Sequence, residues 1–406
     1  MSLHIRSSIV VLLTLALALQ LWGDDSKHSG AAPVSPVVHS SSGGDDLLVD
    51  LVHKAGRLKR TLDDKGFSGN LTFVNDWSKN FIGGAGSRGS INRYSLDVFM
   101  TLDTRKSLGW NGGTGFFRLK NHFGDNGGDY VGDAQGFSNI DDVSRTRLYE
   151  FWYAQKLADD RLRFKVGKID ANSDFAVVGV AGDFLNSSMG YSPTILALPT
   201  YPEPKPGITV LTIPKQHYQA AAGWFRVGGG LDMVILEGGR DWLAPRELPG
   251  RFSLGTWRLT GSIPCFDGDE VGSTQGIYLV TEQTVWHRSR PQPAGTQEVS
   301  AFLQYAHANG GVSRFTQHIG AGVVVSGLSA SRSHDAFGVA ATTVRFTDVP
   351  EAGYQHDREL AVETYYKIGL GRFFALVPDV QFIHHPGGLL MQKDAVVLTP
   401  RVNISF

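Results

Sequence analysis

The chain has 406 residues, 42% hydrophobic and 19% charged, with a formal net charge of −1. That balance excludes a nucleic-acid partner, which asks for a strongly basic face. The length exceeds the roughly 250–300 residues one packed core serves, yet no compositional break divides the chain after its first few dozen residues. A closed membrane barrel removes the conflict, because one continuous wall needs no packed core. The 49 Gly, 23 Phe, 12 Tyr and 8 Trp suit turns and aromatic girdles. Cys265 is the only cysteine, so neither an intramolecular disulfide nor a cysteine metal site is expected.

Residues 1–23 have the pattern of a cleaved secretory signal. His4 and Arg6 precede an apolar run, Ile9 to Leu19, that is short for a membrane helix. No later stretch approaches the ~20 apolar residues of such a helix, so strands must do any spanning. Residues 24–46 are rich in Ser, Gly, Asp and Pro and read as a disordered linker. Over 47–65 a short helix is expected: Leu47, Leu48, Leu51, Val52, Ala55, Leu58 and Leu62 recur at helical spacing. It either docks at the barrel or simply leads into it.

From Gly66 to Phe406 alternating segments replace helical ones. Strands are expected to begin near Phe67, Tyr94, Phe116, Arg147, Leu162, Tyr218, Leu231, Phe252, Ile277, Val299, Ile319, Phe337, Leu360, Phe373 and Ala395. A fainter one, Ile208–Ile213, brings the number to about sixteen, and single-chain outer-membrane barrels are even-numbered. The fold class is therefore all-β, a transmembrane antiparallel barrel over residues 66–406. Leu162, Phe164 and Val166 alternate with Arg161, Arg163 and Lys165; Phe117 and Leu119 alternate with Arg118, Lys120 and His122. In Tyr94–Asp103 the polar set is Ser95, Asp97, Thr101 and Asp103, with Phe99 breaking it. A charge facing lipid at the midplane costs about 2–4 kcal/mol, so the polar sets belong to the lumen. The last strand follows the same rule: Val396, Leu398, Pro400, Val402, Ile404 and Phe406 share one face, Thr399, Arg401, Asn403 and Ser405 the other.

Two connections stand out. Gly124–Asp133 superficially resembles a calcium loop, but it lacks the spaced ligands and terminal acid of an EF-hand and reads as an exposed loop. Residues 171–215 contain six prolines and form the longest irregular stretch. Such a loop is rare without a functional reason. It either folds inward to narrow the channel or lies over the mouth as a lid.

A selective pore needs polar groups that replace water around a solute and flat aromatic faces for its apolar side, each held weakly. The candidate constriction residues are Asp97, Arg118, Lys120, Glu150, Trp152, Arg161, Arg163 and Lys165. With Tyr149, Phe151 and Tyr153 facing lipid, Glu150 and Trp152 face the lumen, one to accept hydroxyls and one to stack. The five cations form a basic wall with Asp97 and Glu150 opposing it, which sets up a transverse field. A solvated wall without selectivity is the plain alternative for any one of them.

No catalytic, cofactor-binding or metal residue is assigned. Neither a Gly-x-Ser-x-Gly elbow nor a His-Glu-x-x-His pair occurs. His384-His385 lies at a strand end beside Pro386-Gly387-Gly388, with no acidic run nearby, and reads as a polar pair next to a turn. Residues 24–66 are too few for the plug of an energy-coupled transporter.

The segments in order resemble the carbohydrate-selective porin family of OprB type. Arg57–Gly66 is similar to its Arg-x-x-Leu-x-x-x-Gly lead-in, Arg147–Gln155 to its Leu-x-Glu-Leu-Trp strand, and Leu162–Asp170 to its Gly-Lys-x-Asp signature. Asp183–Ser188 resembles its Phe-x-Asn stretch; Glu359–Tyr366 and Pro378–Gly388 resemble its closing strands. The resemblance covers roughly 55–406, with 225–350 similar only as generic strands. It implies an outer-membrane barrel that admits small carbohydrates passively, in contact with outer-membrane lipid. It also implies that the assembly machinery reads Phe406. An anion-preferring or general pore of the same fold, and a secreted β-rich carbohydrate-binding protein, remain as rivals.

Overall fold

The computed structural model describes residues 60–86, 89–289, 296–371 and 373–406. Among them run sixteen strands. They are β1 (Phe67–Gly84), β2 (Ser90–Asp103), β3 (Gly113–Gly124), β4 (Arg145–Leu157), β5 (Leu162–Ile169), β6 (Lys205–Lys215), β7 (Tyr218–Gly228) and β8 (Leu231–Ala244). The second half continues with β9 (Leu248–Pro264), β10 (Glu270–Ser289), β11 (Thr296–Ala308), β12 (Phe315–Ser326), β13 (Ala336–Phe346), β14 (Arg358–Leu370), β15 (Phe374–His384) and β16 (Lys393–Ser405). Each pairs antiparallel with its chain neighbours, and β1 pairs with β16. Closure leaves no unpaired edge, the condition for a sheet to stand in hydrocarbon. The faint segment at 208–213 is β6, fully paired with β5 from Leu162↔Thr212 to Ile169↔Lys205. Of the helix expected at 47–65, residues 60–64 are helical, Lys65 is in a turn, and 47–59 lie outside the described residues.

Alternation decides which way each side chain points. Outward positions such as Val98, Leu119, Phe151, Val166, Ile208, Val234, Leu254, Leu303, Val339 and Phe382 are exposed on strand after strand. A belt of this extent marks a membrane-facing surface. Moving one such side chain from water to lipid gains about 1.5–3 kcal/mol. Trp77, Phe81 and Phe123 stand near one rim and Trp110, Tyr218 and Trp286 near the other, all exposed, forming the two aromatic girdles. The inward positions are polar and buried, among them Asp76, Ser78, Arg93, Lys165, Glu363 and Arg401.

The closing seam joins both habits. Asp76 on β1 opposes Arg401 on β16, and the carboxylate takes two guanidinium hydrogen bonds at 2.7 and 2.8 Å. Ser78 bonds Thr399 at 2.7 Å beside them. At the end of the chain, the Phe406 N–H donates to the Leu71 carbonyl at 2.9 Å and its ring lies 5.7 Å from Phe373. The last residue is thus paired to the first strand.

Most connections are short. The two long ones, residues 125–144 between β3 and β4 and 170–204 between β5 and β6, leave the barrel at the same end. In outer-membrane barrels the long loops are extracellular and the tight turns periplasmic.

Candidate functional site: the constricted lumen

At mid-height on β2 to β5 the lumen wall carries a dense set of charges. Asp97 on β2 receives Arg118 at 2.7 Å and Lys120 at 2.8 Å, both from β3. Arg118 also reaches Glu150 on β4 at 3.5 Å. Arg163 and Lys165 on β5 converge on Asp174 of the 170–204 loop at 2.6 and 2.8 Å. The structure thus brings seven of the eight expected residues together, but Asp97 and Glu150 sit among the cations instead of facing them. Paired at hydrogen-bond distance on adjacent strands, the charges largely cancel, so this patch sets up no field between opposed walls. Arg161 is not part of the wall: it precedes β5 in the tight turn after β4 and its side chain is exposed. The apparent alternation of Arg161 with Leu162 extends one residue beyond the strand.

Tyr149 also departs from expectation. The β3–β4 register slips between Arg118 and Leu119, so two β4 residues oppose one β3 position. This β-bulge turns both Tyr149 and Glu150 inward. Tyr149 is buried, its hydroxyl donates to Asp170 at 2.7 Å, and Arg118 lies 4.4 Å above its ring. Beyond the bulge Phe151 and Tyr153 point outward as expected and Trp152 points inward.

Below the charges lies an aromatic row. Phe99, Phe116 and Trp152 stand on neighbouring strands β2, β3 and β4, each partly exposed. Phe116 stacks on Trp152 with centroids 4.7 Å apart and planes 19° apart; Phe99 lies 6.2 Å from Phe116. Arg118 covers Phe99 at 4.8 Å and Lys165 approaches Trp152 at 4.8 Å. Glu150 orients the tryptophan: its carboxylate accepts the indole N–H at 3.1 Å and the Asp170 N–H at 3.2 Å. With Arg118 as a third donor, Glu150 is engaged within the protein.

The 170–204 loop folds into the lumen and crosses it. Just before it, within β5, Gly167 has a φ of 142° that no other residue adopts comfortably, and a Cβ there would stand 2.2 Å from the Phe151 carbonyl of β4. Because backbone N–H groups inside a barrel need acceptors, inward carboxylates supply them in sequence. Glu237 on β8 accepts from Ala176 at 2.8 Å, and Glu282 on β10 from Val180 at 2.6 Å. Glu363 on β14 accepts from Leu185 and Asn186, at 2.5 and 3.0 Å. Arg251 on β9 donates to the Val177 carbonyl, and Lys367 on β14 pairs with Asp183 at 2.8 Å. Gln304 on β11 then caps the Ser188 and Met189 carbonyls at 2.6 and 3.1 Å. Phe184 wedges between Tyr365 and Phe302, with centroids 4.9 and 6.0 Å away. The irregular stretch expected over 171–215 is therefore an inserted loop that ends at Thr200–Pro204, where β6 begins.

The 125–144 loop is inserted as well from Val131 on, while Asp125, Asn126 and Asp129 of the segment expected to be exposed remain so. Val131 and Phe137 are fully buried, packed with Ile383 and Ala395. Glu359 holds it, accepting from Ala134 at 2.8 Å and Gln135 at 3.1 Å, and also from Gly387 at 2.6 Å. Gln381 donates to the Phe137 carbonyl at 2.7 Å and accepts from Asn186 at 3.2 Å, tying both loops to one side chain. Burial, with the Glu359 carboxylate next in effect, pushes the Asp133 carboxyl up to about 7. Burial likewise pushes Asp141 up to about 7 despite its pairing with Arg93.

His384 and His385 are not without an acid. The β15–β16 hairpin brings Asp394 back against them, with His384 Nδ1 at 2.9 Å from its carboxylate. A spacing of ten residues in sequence hides this contact.

A family model described as carbohydrate-selective porin, OprB family, matches residues 87–229 and 266–406. The chain belongs to that family. Its members form channels and are not enzymes; their place is the outer membrane and their solutes are carbohydrates. The family match begins at 87, later than the resemblance near 55, and its internal gap is narrower than 225–350. Porin B of Pseudomonas aeruginosa is 23% identical over 411 residues, covering 86% of this chain and 89% of that protein. The Pseudomonas putida OprB structure at high pH superposes with a TM-score of 0.77 at 18% identity, covering 86% of this chain and 97% of that one. Its low-pH structure gives 0.59 at 19% identity, over 86% and 96%.

The porin motifs acquire a physical meaning here. Glu359, Glu363 and Gln381 lie in the closing-strand motifs, and each is a loop anchor. Asp170 of the Gly-Lys-x-Asp signature caps the first turn of the inserted loop, accepting from Asn172 at 3.1 Å. None of the loop anchors is among the expected constriction residues, although Glu237 on β8 and Glu282 on β10 each stand as the one carboxylate between apolar or small inward neighbours, which is a readable sign. Phe99, the aromatic that broke a polar set, was another.

Proposed function

We propose that small carbohydrates cross the outer membrane through this barrel by passive diffusion, sliding over the Phe99–Phe116–Trp152 row at the constriction. One observation carries the reading: an aromatic shelf sits directly beside ion-paired polar groups within a lumen narrowed by two inserted loops. Flat rings meet the apolar face of a pyranose, while Arg118 and Arg163, 21 and 30% exposed, offer donors to its hydroxyls. Neither contact is deep enough to trap the solute. Because the cations of this wall are paired, the anion-preferring alternative loses the net positive ring it needs. The exposed apolar belt likewise speaks against a secreted β-protein.

We also propose that residues 1–23 are a cleaved export signal and that Phe406, paired to β1, is the residue the assembly machinery reads. Liposome swelling with the refolded protein tests the transport reading. Swelling in glucose and maltose that outpaces swelling in a size-matched anion supports it. Entry governed by size or anionic charge alone would overturn it in favour of the general or anion pore.

A further inference from the structure

The long-loop rim carries a group of side chains that transport does not use. His384 ends β15, His385 follows it in the left-handed region at φ 52° and ψ 57°, and Asp394 is the second residue of β16. One ligand atom from each of the three lies within 4.8 Å of the other two. His384 Nδ1 is 2.9 Å from both Asp394 oxygens, and the His385 N–H donates to the same carboxylate at 3.1 Å. His356, from the connection between β13 and β14, stacks on His385 at 3.6 Å with planes 6° apart; His385 in turn lies 3.7 Å from His384. The buried Nδ1 of His385 has no hydrogen-bond partner in the protein.

We propose that His384, His385 and Asp394 form a binding site for a divalent transition-metal ion of the zinc type at the outer mouth of the channel. The donor set is two imidazoles and one carboxylate, which suits zinc, copper or nickel and not calcium or magnesium. Ligands about 2.0–2.2 Å from a tetrahedral ion stand roughly 3.3–3.5 Å apart. The separations here, from 2.9 to 4.8 Å, bracket that value, so rotation about side-chain bonds suffices. Water or His356 completes the coordination. His384 and Asp394 are each 41% exposed in their side chains, so an ion reaches them without opening the barrel.

The strained conformation of His385 fits the same purpose, since a left-handed residue persists only where its surroundings hold it. Here the Asp394 carboxylate holds its N–H. On binding, the proton between His384 Nδ1 and Asp394 is exchanged through water to His384 Nε2, so the imidazole stays neutral and the metal sits between Nδ1 and the carboxylate oxygen. The next turn, Pro386–Gly388, is bonded to Glu359, so an ion at the site would bear on the segment that anchors the 125–144 loop.

The test uses the full refolded chain in detergent, stripped with a chelator and titrated with zinc chloride by calorimetry. Asp394→Asn and His384→Gln are measured beside it. Both keep side-chain size and some hydrogen bonding at an exposed rim, and heat-modifiable mobility on a gel verifies that the barrel has formed. The expected result is one zinc ion per chain, bound at least tenfold more weakly in each variant, with sugar conductance unchanged in both. Absence of zinc binding in the parent chain, or binding equally tight in both variants, overturns the site.

Discussion

The two halves of the lumen use inward carboxylates for opposite ends. On β8, β10 and β14, Glu237, Glu282, Glu359 and Glu363 accept backbone N–H groups of inserted loops. On β2 and β4, Asp97 and Glu150 accept from cationic and indole donors of their own wall. The first arrangement spends charge on holding a loop; the second cancels charge and leaves aromatic faces to the channel. An inward Glu therefore has no fixed meaning in such a barrel. Its role depends on whether a loop or a neighbouring strand supplies the donor.

The comparison breaks most visibly at Glu363. Replacing it with Ala leaves the buried N–H groups of Leu185 and Asn186 without acceptors, at about 1–3 kcal/mol each. The loop should leave the wall, and single-channel conductance should rise severalfold with loss of sugar block. Conductance equal to the parent's would show that the loop is held elsewhere. On the other wall, Trp152→Ala should leave open-channel conductance nearly intact while the half-blocking glucose concentration rises about tenfold, the equivalent of about 1.4 kcal/mol. Glu150→Gln keeps an acceptor for the indole but loses the pairing with Arg118, so a two- to threefold shift in the same titration is expected.

A smaller effect sharpens the loop side. Asp133 titrates near 7 in the folded chain against 3.8 when free, so the docked loop holds a proton there that the undocked loop releases. Docking of residues 125–144 is therefore strongest at low pH and weakens as pH rises from about 4 to about 7. Brief gating events should become more frequent over that range, and Asp133→Asn should weaken the dependence, leaving the part contributed by Asp141, which burial raises likewise. The control is Lys156–Asp160, an exposed pair at the β4–β5 turn: Asp160→Asn, which keeps the tolerance for its φ of 66°, should change stability by less than about 0.5 kcal/mol and sugar block not at all.

Much of the barrel was legible because a wall between lipid and water writes itself as strict alternation. Sixteen strands run where the pattern puts them, although β10 starts at Glu270, seven residues before the expected Ile277; they include β6, whose Ile208, Val210 and Thr212 point outward across from Thr209 and Leu211. What failed was local or long-range. A bulge shifts the phase by one residue and leaves no composition mark, so Tyr149 was placed on the wrong face. Arg161 continued the alternation past the strand end, where the backbone turns. The inward course of both loops depends on acceptors more than fifty residues away, such as Glu363 for Leu185, and alternation carries no record of those pairings. The partnering of Asp97 with Arg118 and Lys120 needed the β2–β3 register, which places Asp97 opposite Lys120.

The central claim is that sugars are chosen on the aromatic row of β2, β3 and β4. It is tested most directly by titrating glucose against single-channel current in the parent and in Trp152→Ala. The account predicts a saturable fall in current for the parent and about a tenfold weaker one for the variant, with equal open-channel conductance. Identical block in both would contradict it and move the sugar site away from the row.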